Sequence, residues 1–136
     1  MTCKHIIDAY TWIEYFKASK SGENAKKYIE SKDAATPTIV VAEISRKLQQ
    51  EITLGNETAE GRAKRLEFIR AASQIISLDF ETAAQAGKTN VDMKTEAKGW
   101  GLADSIILVT AKNLKGKVVN GDEHFRDIVE AVFIKD

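Results

Sequence analysis

The sequence is poor in residues that build disulfides and thiolate metal sites. It has one cysteine, Cys3, and one proline, Pro37, in 136 residues. A single cysteine cannot form an internal disulfide bond, and it gives no spacing for a metal site. It is typical of proteins that work in a reducing compartment. His5 has no second histidine or cysteine spaced to join it, so we assign it to a strand and not to a metal site.

Long apolar runs and net charge are also missing. Lys4 and Asp8 interrupt the N-terminal segment, so we expect no signal peptide, and no apolar run is long enough to span a bilayer. Lysine plus arginine equals aspartate plus glutamate at 20 each, so the formal net charge is zero. No overall field would draw nucleic acid from a distance, and any such contact must be local. We expect a cytoplasmic protein with no membrane attachment.

The content that remains is typical of one globular domain. Apolar residues make up 43% of the chain and charged residues 29%, and the length suffices to bury a core. We predict a single domain over residues 1–136, with strands near residues 5–7, 38–41, 74–78, 117–119 and 131–134 and helices between them. This alternation predicts an α/β fold, a three-layer α/β/α sandwich with a central, mainly parallel sheet.

Four acids follow strands or open helices in this pattern. Asp8 and Asp122 come directly after strands, while Glu43 and Asp104 fall in the predicted first turns of helices. Because the carboxyl ends of parallel strands meet at one edge of a sheet, the four side chains can converge there. The alternative for each acid alone is a solvated or helix-capping residue, as for Asp8, since aspartate is a preferred N-cap.

Converging carboxylates need a counter-charge. Packed closely, they raise one another's pKa unless a divalent cation neutralises them. Mg²⁺ and Mn²⁺ prefer oxygen ligands, and Mg²⁺ usually keeps several waters, which leaves room for a phosphate. One or two such ions can activate a water and stabilise the leaving oxygen in phosphodiester hydrolysis.

Four segments carry a resemblance to a known family. They are IIDAYTWIEYF (6–16), TIVVAEISRKL (38–48), LADSIILVTA (102–111) and VVNGDEHF (118–125), in family order. The sequence resembles the PIN-domain superfamily and, within it, the VapC-like toxin ribonucleases of type II toxin–antitoxin pairs. The resemblance implies an α/β/α sandwich and a Mg²⁺- or Mn²⁺-dependent endoribonuclease. It also implies a homodimer whose antitoxin partner blocks the acidic pocket.

The family's acidic quartet falls on Asp8, Glu43, Asp104 and Asp122. On this hypothesis the three aspartates hold the metal directly or through water. Glu43 completes the site and positions or deprotonates the attacking water. The substrate is RNA.

Some positions depart from the family's pattern. Relatives often carry serine or threonine just after the first aspartate and at the start of the last motif, where this chain has Ala9 and Asn120. Asn120 can orient Asp122 or a metal-bound water, whereas Ala9 cannot, so we expect weaker support of the acids. His124 stands where relatives often have aspartate. It is either a phosphate or base contact or an ordinary turn residue beside Phe125.

Basic and aromatic side chains are the remaining candidates for RNA contacts. Arg46 follows Glu43 on the same helix and is predicted to touch the RNA backbone, the alternative being a solvated helix face. The spacing of Trp12 favours the core, while Trp100 between two glycines is open to either core packing or base stacking.

Other functions remain as alternatives. One is an RNA-processing PIN nuclease without an antitoxin, and another is a catalytically silent PIN-like module that binds a partner protein. A phosphatase using Asp8 as nucleophile is disfavoured, because that chemistry requires a second aspartate two residues on and the chain has Tyr10 there.

Overall fold

A five-stranded parallel sheet forms the centre of the structure, a computed structural model that describes residues 3–95 and 98–135. The strands are β1 (His5–Ile7), β2 (Ala34–Pro37), β3 (Gln74–Ile76), β4 (Lys117–Asn120) and β5 (Ala131–Phe133). Their order is β3-β2-β1-β4-β5, and every pair is parallel. The predicted α/β fold with a central parallel sheet is therefore confirmed.

Helices connect the strands. They are α1 (Ala9–Lys17), α2 (Lys20–Ile29), α3 (Thr38–Thr53), α4 (Ala59–Ala72), α5 (Phe80–Lys94) and α6 (Leu102–Asn113), with a short 3₁₀ helix at Glu123–Phe125. Within the described ranges, no helix has the length and apolar content needed to cross a membrane.

The middle of the sheet is the centre of the core. In β1, Ile6 pairs in register with Ala35 of β2 and Val118 of β4, and all three side chains are fully buried. Because β1 lies between β2 and β4, its carboxyl end opens directly beside theirs. The residue after β1 is therefore placed at the middle of the sheet edge where ligands bind in such folds.

The predicted second strand is wrong. The chain is extended over Ala34–Pro37, and the β-branched residues 38–41 begin α3. Pro37 ends the strand as the N-cap of α3, and Val40 is fully buried on the helix. Packing against the core has thus overridden the β-propensity of this segment. Glu43 consequently lies in the second turn of α3, and not in the first turn as predicted.

The other strand predictions differ only at their ends. β3 stops at Ile76 and β5 at Phe133, each short of the predicted last residue, while β4 extends one residue further, to Asn120. Asp79 begins α5 as its N-cap, accepting a hydrogen bond from Thr82 N at 2.7 Å. This aspartate serves below as a comparison for Asp8.

Helix α6 is the most buried helix described. Every residue from 105 to 111 is buried, which is expected of a helix that is apolar all round and lies inside the protein. Trp100 just before it is 1% exposed and donates from Nε1 to Ser105 Oγ at 2.7 Å. Trp100 is therefore a core residue and does not present its face to bases. Trp12 is also buried, as predicted, and donates to Thr36 Oγ1.

Candidate metal centre

Asp8 ends β1 and caps α1 at once. Its Oδ1 accepts a hydrogen bond from Thr11 N at 2.9 Å, the usual N-cap contact. The Thr11 hydroxyl donates to Val119 O at 2.6 Å and so ties α1 to β4. Asp8 is only 6% exposed. Asp8 can therefore be both a helix cap and a site residue, because the position directly after β1 is also the N-cap position of α1.

Burial gives Asp8 an unusual pKa. It raises the pKa of this carboxyl from 3.8 to about 7, with further increases from the charges of Asp122 and Glu43 and a partial decrease from the Thr11 hydrogen bonds. The largest cause is the removal of the carboxylate from water, which disfavours its charged form. Near neutral pH, in the absence of a cation, Asp8 therefore carries a proton a large part of the time.

Burial and neighbouring charges also raise the pKa values of Glu43 and Asp104. Burial, then the charge of Asp104, raises the pKa of Glu43, while nearby Arg46 lowers it. The pKa of Asp104 is also raised, chiefly by burial and secondarily by Asp122. Asp104 Oδ2 accepts a hydrogen bond from Gly101 N at 2.9 Å, which closes the first turn of α6 and limits the rise.

Asp122 is fixed by its own turn. Its backbone N–H donates to Asn120 Oδ1 at 3.0 Å, and its Oδ1 accepts from His124 N at 2.9 Å. Asn120 is fully buried at the end of β4. Its side chain therefore fixes the backbone at Asp122, and does not contact the carboxylate directly in the hydrogen bonds described.

The turn also requires a glycine. A Cβ atom built on Gly121 would lie 2.3 Å from Cε1 of the Tyr10 ring. Since such a distance is far below van der Waals contact, only glycine allows Tyr10 to pack against this turn. Tyr10 thereby links the first turn of α1 to the backbone that carries Asp122. The family's hydroxyl residue is missing at Ala9, but its neighbour has a packing role.

Each of the four acids is electrostatically coupled to at least two of the others. Asp8 is coupled to Asp122 and Glu43, Glu43 to Asp104, and Asp104 to Asp122, and in each case the neighbouring charge raises the pKa of the carboxyl. Electrostatic coupling therefore links all four predicted acids near the carboxyl ends of β1 and β4. Among the described residues, however, the group whose ligand atoms lie within 4.8 Å of one another includes Asp104 and Asp122 but not Asp8 or Glu43. A set of carboxylates that oppose one another's ionisation favours binding of a positive ion.

His124 also lies in this cluster. Its Nδ1 is 3.4 Å from Asp122 Oδ1 and 3.6 Å from Asp104 Oδ2. One ligand atom from each of Asp104, Asp122 and His124 can be chosen so that all lie within 4.8 Å of one another. These residues fit a divalent cation, because Nδ1 is shielded from solvent and makes no hydrogen bond within the described part of the chain. The sequence predicted either a substrate contact or an ordinary turn residue at His124, and not a metal ligand.

Arg46 lies at the margin of the acids. It is exposed on α3, and its charge lowers the pKa of Glu43, so its guanidinium is near that carboxylate. The concavity lined by Tyr15, Phe16 and Phe68 contains none of the four acids. The candidate site is therefore identified from the charges and hydrogen bonds of the acids, and it lies outside this concavity.

The parallel α/β fold, with a cluster of carboxylates at the strand ends, is the arrangement expected of a PIN domain. The chain belongs to the PIN domain family, whose pattern matches residues 6–131. A search of curated proteins gives no match.

Solved structures have the same fold. DNA-bound VapBC from Salmonella typhimurium is similar with a TM-score of 0.75 and 16% identity, over 98% of this chain and 100% of that one. A toxin–antitoxin complex from Klebsiella pneumoniae gives 0.72 and 19%, over 98% and 99%. VapC20 from Mycobacterium tuberculosis, described as a toxin that cleaves the sarcin–ricin loop, gives 0.65 and 14%, over 86% of each chain.

Proposed function

We propose that this protein is a metal-dependent endoribonuclease and the toxin of a toxin–antitoxin pair. The observation that carries the proposal is the cluster of four acids at the carboxyl edge of the sheet, in which burial and the charges of neighbouring acids raise the pKa values of Asp8, Glu43 and Asp104. Membership of the PIN domain family supports a nuclease. The similar structures described as a toxin–antitoxin complex and as a toxin support the biological role.

The metal ligands in this proposal are Asp8, Asp104 and Asp122. A bound Mg²⁺ or Mn²⁺ would supply charge that stabilises the developing oxyanion and lowers the pKa of a water. The hydrogen bonds from Thr11 N to Asp8 and from Gly101 N to Asp104 hold these carboxylates in place. Asn120 fixes Asp122 through its backbone N–H.

Glu43 is the proposed proton acceptor. Burial and Asp104 raise its pKa above the ordinary glutamate value, which moves it toward neutral pH, where a general base is most effective. Glu43 is electrostatically coupled to both Asp104 and Asp8. In this arrangement Glu43 takes a proton from the attacking water, and exposed Arg46 is placed to contact the phosphate of the RNA backbone.

RNA as substrate, an antitoxin as partner, a homodimer and a cytoplasmic location are parts of the same proposal. VapC20, which is described as a toxin that cleaves the sarcin–ricin loop, supports the substrate class. Similar chains solved within toxin–antitoxin complexes support the partner. The homodimer rests on the resemblance to VapC-like toxins.

The experiment is cleavage of a panel of tRNA, ribosomal RNA and unstructured RNA with Mg²⁺ or Mn²⁺. The test variant is Asp104→Asn, which keeps an acceptor for Gly101 N but removes the charge. Its matched control is Asp79→Asn, an exposed N-cap of α5 outside the cluster. We expect cleavage by the wild type and the control and loss in Asp104→Asn. Equal cleavage by all three would refute the proposal.

No cleavage by the wild type would be resolved by heat-stabilisation with Mn²⁺. Stabilisation would mean a formed site whose substrate is missing from the panel. Its absence would favour the catalytically silent binding module. An RNA-processing role without an antitoxin would be favoured if no small antitoxin-like reading frame lies beside the gene.

A further inference from the structure

The His124 imidazole contains a buried polar atom with no hydrogen-bond partner. Nδ1 is shielded from solvent and makes no hydrogen bond within residues 3–95 and 98–135, although the side chain as a whole is 33% exposed. The atom points between two carboxylates, at 3.4 Å from Asp122 Oδ1 and 3.6 Å from Asp104 Oδ2. Buried polar atoms are nearly always paired, so an unpaired one at a cluster of acids requires an explanation.

The ring is held in this orientation from several sides. Its backbone N–H is bonded to Asp122 Oδ1 at 2.9 Å, which fixes the start of the 3₁₀ helix. The Trp100 ring lies 6.3 Å away at an angle of 60°. The opposite edge of the imidazole faces Gly99, where a Cβ atom would lie 3.1 Å from Nε2. Gly99 has a φ of 84°, which favours glycine, so this close approach is built into the backbone.

Two explanations fit an imidazole in this place. A protonated ring could offset the negative charge of the carboxylates, or a neutral ring could present its Nδ1 lone pair to a cation. Two adjacent ligands of an octahedral ion at about 2.1 Å are about 3 Å apart. The observed separations of 3.4 and 3.6 Å are each only slightly longer, so a cation could engage all three groups with small movements. Contact with His124 lowers the pKa of Asp104, as the first explanation expects. The second explanation is favoured by the position of Nδ1, which is shielded from solvent and lies between two carboxylates without a hydrogen bond of normal geometry to either oxygen.

We propose that His124 Nδ1 is a ligand of the cation that Asp104 and Asp122 hold, and that this nitrogen gives the site a preference for transition metals over Mg²⁺. The inference deepens the proposed metal site and rests on it, but not on nuclease activity. Carboxylate and water ligands suit Mg²⁺ and Mn²⁺, whereas imidazole suits Fe²⁺, Ni²⁺, Cu²⁺ and Zn²⁺, and Co²⁺ lies between Fe²⁺ and Ni²⁺ in the general order of affinity. Exchanging an acid for histidine at this position thus changes which metal binds.

Metal binding by the whole protein tests this without any RNA. Co²⁺, Mn²⁺ and Mg²⁺ are titrated separately by calorimetry into wild type, His124→Gln and His124→Asp. The matched control is His5→Gln, since His5 is the other histidine of the chain and its Nδ1 pairs with Ser31 Oγ at 3.2 Å. Loss of a direct ligand should weaken binding by about tenfold or more.

The expected pattern is specific to the metal. His124→Gln should lose about tenfold or more in Co²⁺ affinity with a much smaller change for Mg²⁺, and His124→Asp should shift the preference toward Mg²⁺. His5→Gln should match the wild type. Pulsed electron spin resonance of bound Mn²⁺ should detect coupling to a ¹⁴N nucleus in the wild type and lose it in His124→Gln.

Either of two results would overturn the inference. One is the absence of nitrogen coupling in wild-type protein with Mn²⁺ bound, a measurement that needs no variant to fold. The other is tighter binding of every cation by His124→Gln, which would identify the ring as a protonated counter-charge. Nitrogen coupling together with a failure to cut any RNA would count against the proposed function and leave this inference standing.

Discussion

Replacing Asp8 by asparagine should stabilise the metal-free protein. The folded state raises the pKa of Asp8 to about 7, chiefly by burial, and the charges of Asp122 and Glu43 add to the rise. Ionising this carboxyl at neutral pH therefore costs folding free energy. Asparagine is also a good N-cap, so the variant keeps an acceptor for Thr11 N while removing the charge.

The magnitude follows from the pKa difference. The pKa of Asp8 rises from 3.8 to about 7 on folding. At about 1.4 kcal/mol per unit, this gives an upper limit near 4 kcal/mol at pH 8. Relaxation around the site will reduce it, so we expect about 1–4 kcal/mol, or roughly 4–14 °C in Tm for a chain of this size.

The sign with pH is fixed by the direction of the shift. Because the folded pKa lies above the unfolded value, the stability linked to Asp8 is fully present below about pH 4 and is lost as the pH rises through about 7. The Asp8→Asn variant does not ionise here and keeps its stability. Its advantage over the wild type should therefore shrink by more than half between pH 8 and pH 5.

The assay is thermal unfolding in a chelator at both pH values. Asp79→Asn is the matched control, because Asp79 caps α5 with the same kind of hydrogen bond but is exposed, and that bond lowers its pKa. At neutral pH the control should be neutral or slightly destabilised, opposite in sign to Asp8→Asn. If the Tm of Asp8→Asn in the chelator at pH 8 is equal to or below that of the wild type, then burial does not make the ionised Asp8 carboxylate destabilising.

Further predictions concern the cation and the turn at Asp122. Mn²⁺ should raise the wild-type Tm more at pH 8 than at pH 5, because protons compete with the cation for the carboxylates. Asp122→Asn should lose most of this rise in Tm. An equal rise in the wild type and in Asp122→Asn would contradict a cation site at these acids. Gly121→Ala should cost about 1–3 kcal/mol in urea unfolding, since its Cβ would meet the Tyr10 ring, and Tyr10→Ala should relieve part of that cost. Asn120→Ala should cost about 1–3 kcal/mol in the same assay by leaving Asp122 N–H without its acceptor, and it should weaken Mn²⁺ binding in calorimetry; no change would contradict its positioning role.

The sheet and its acids were predictable because their patterns are local. Asp8 after a buried apolar run, and Asp122 after another, give the strand ends directly. Parallel connections then place both at one edge of the sheet. The second strand was not predictable in the same way. Residues 38–41 are β-branched, yet they form helix because burying Val40 against the core outweighs a weak intrinsic preference.

The sequence predicts that the four acids lie close together, but it does not predict the other contacts around them. Glu43 could be assigned to the cluster although its place in α3 was wrong by a turn. The position of His124 depends on the left-handed backbone at Gly99, a residue distant in sequence whose conformation no local pattern specifies. The Tyr10 contact with Gly121 likewise joins the first turn of α1 to the turn after β4, two segments that are far apart in the sequence. No local sequence pattern predicts either of these contacts.

The most direct test of the whole account compares two curves measured on the same protein. One is the rate of RNA cleavage against Mn²⁺ concentration, and the other is Mn²⁺ binding by calorimetry, for wild type and Asp104→Asn. If the cation held by the acids drives cleavage, the two wild-type curves should have the same midpoint, and both should be lost in the variant. Cleavage that continues in Asp104→Asn, or in the presence of a chelator, would contradict the claim that these acids form a metal-dependent nuclease site.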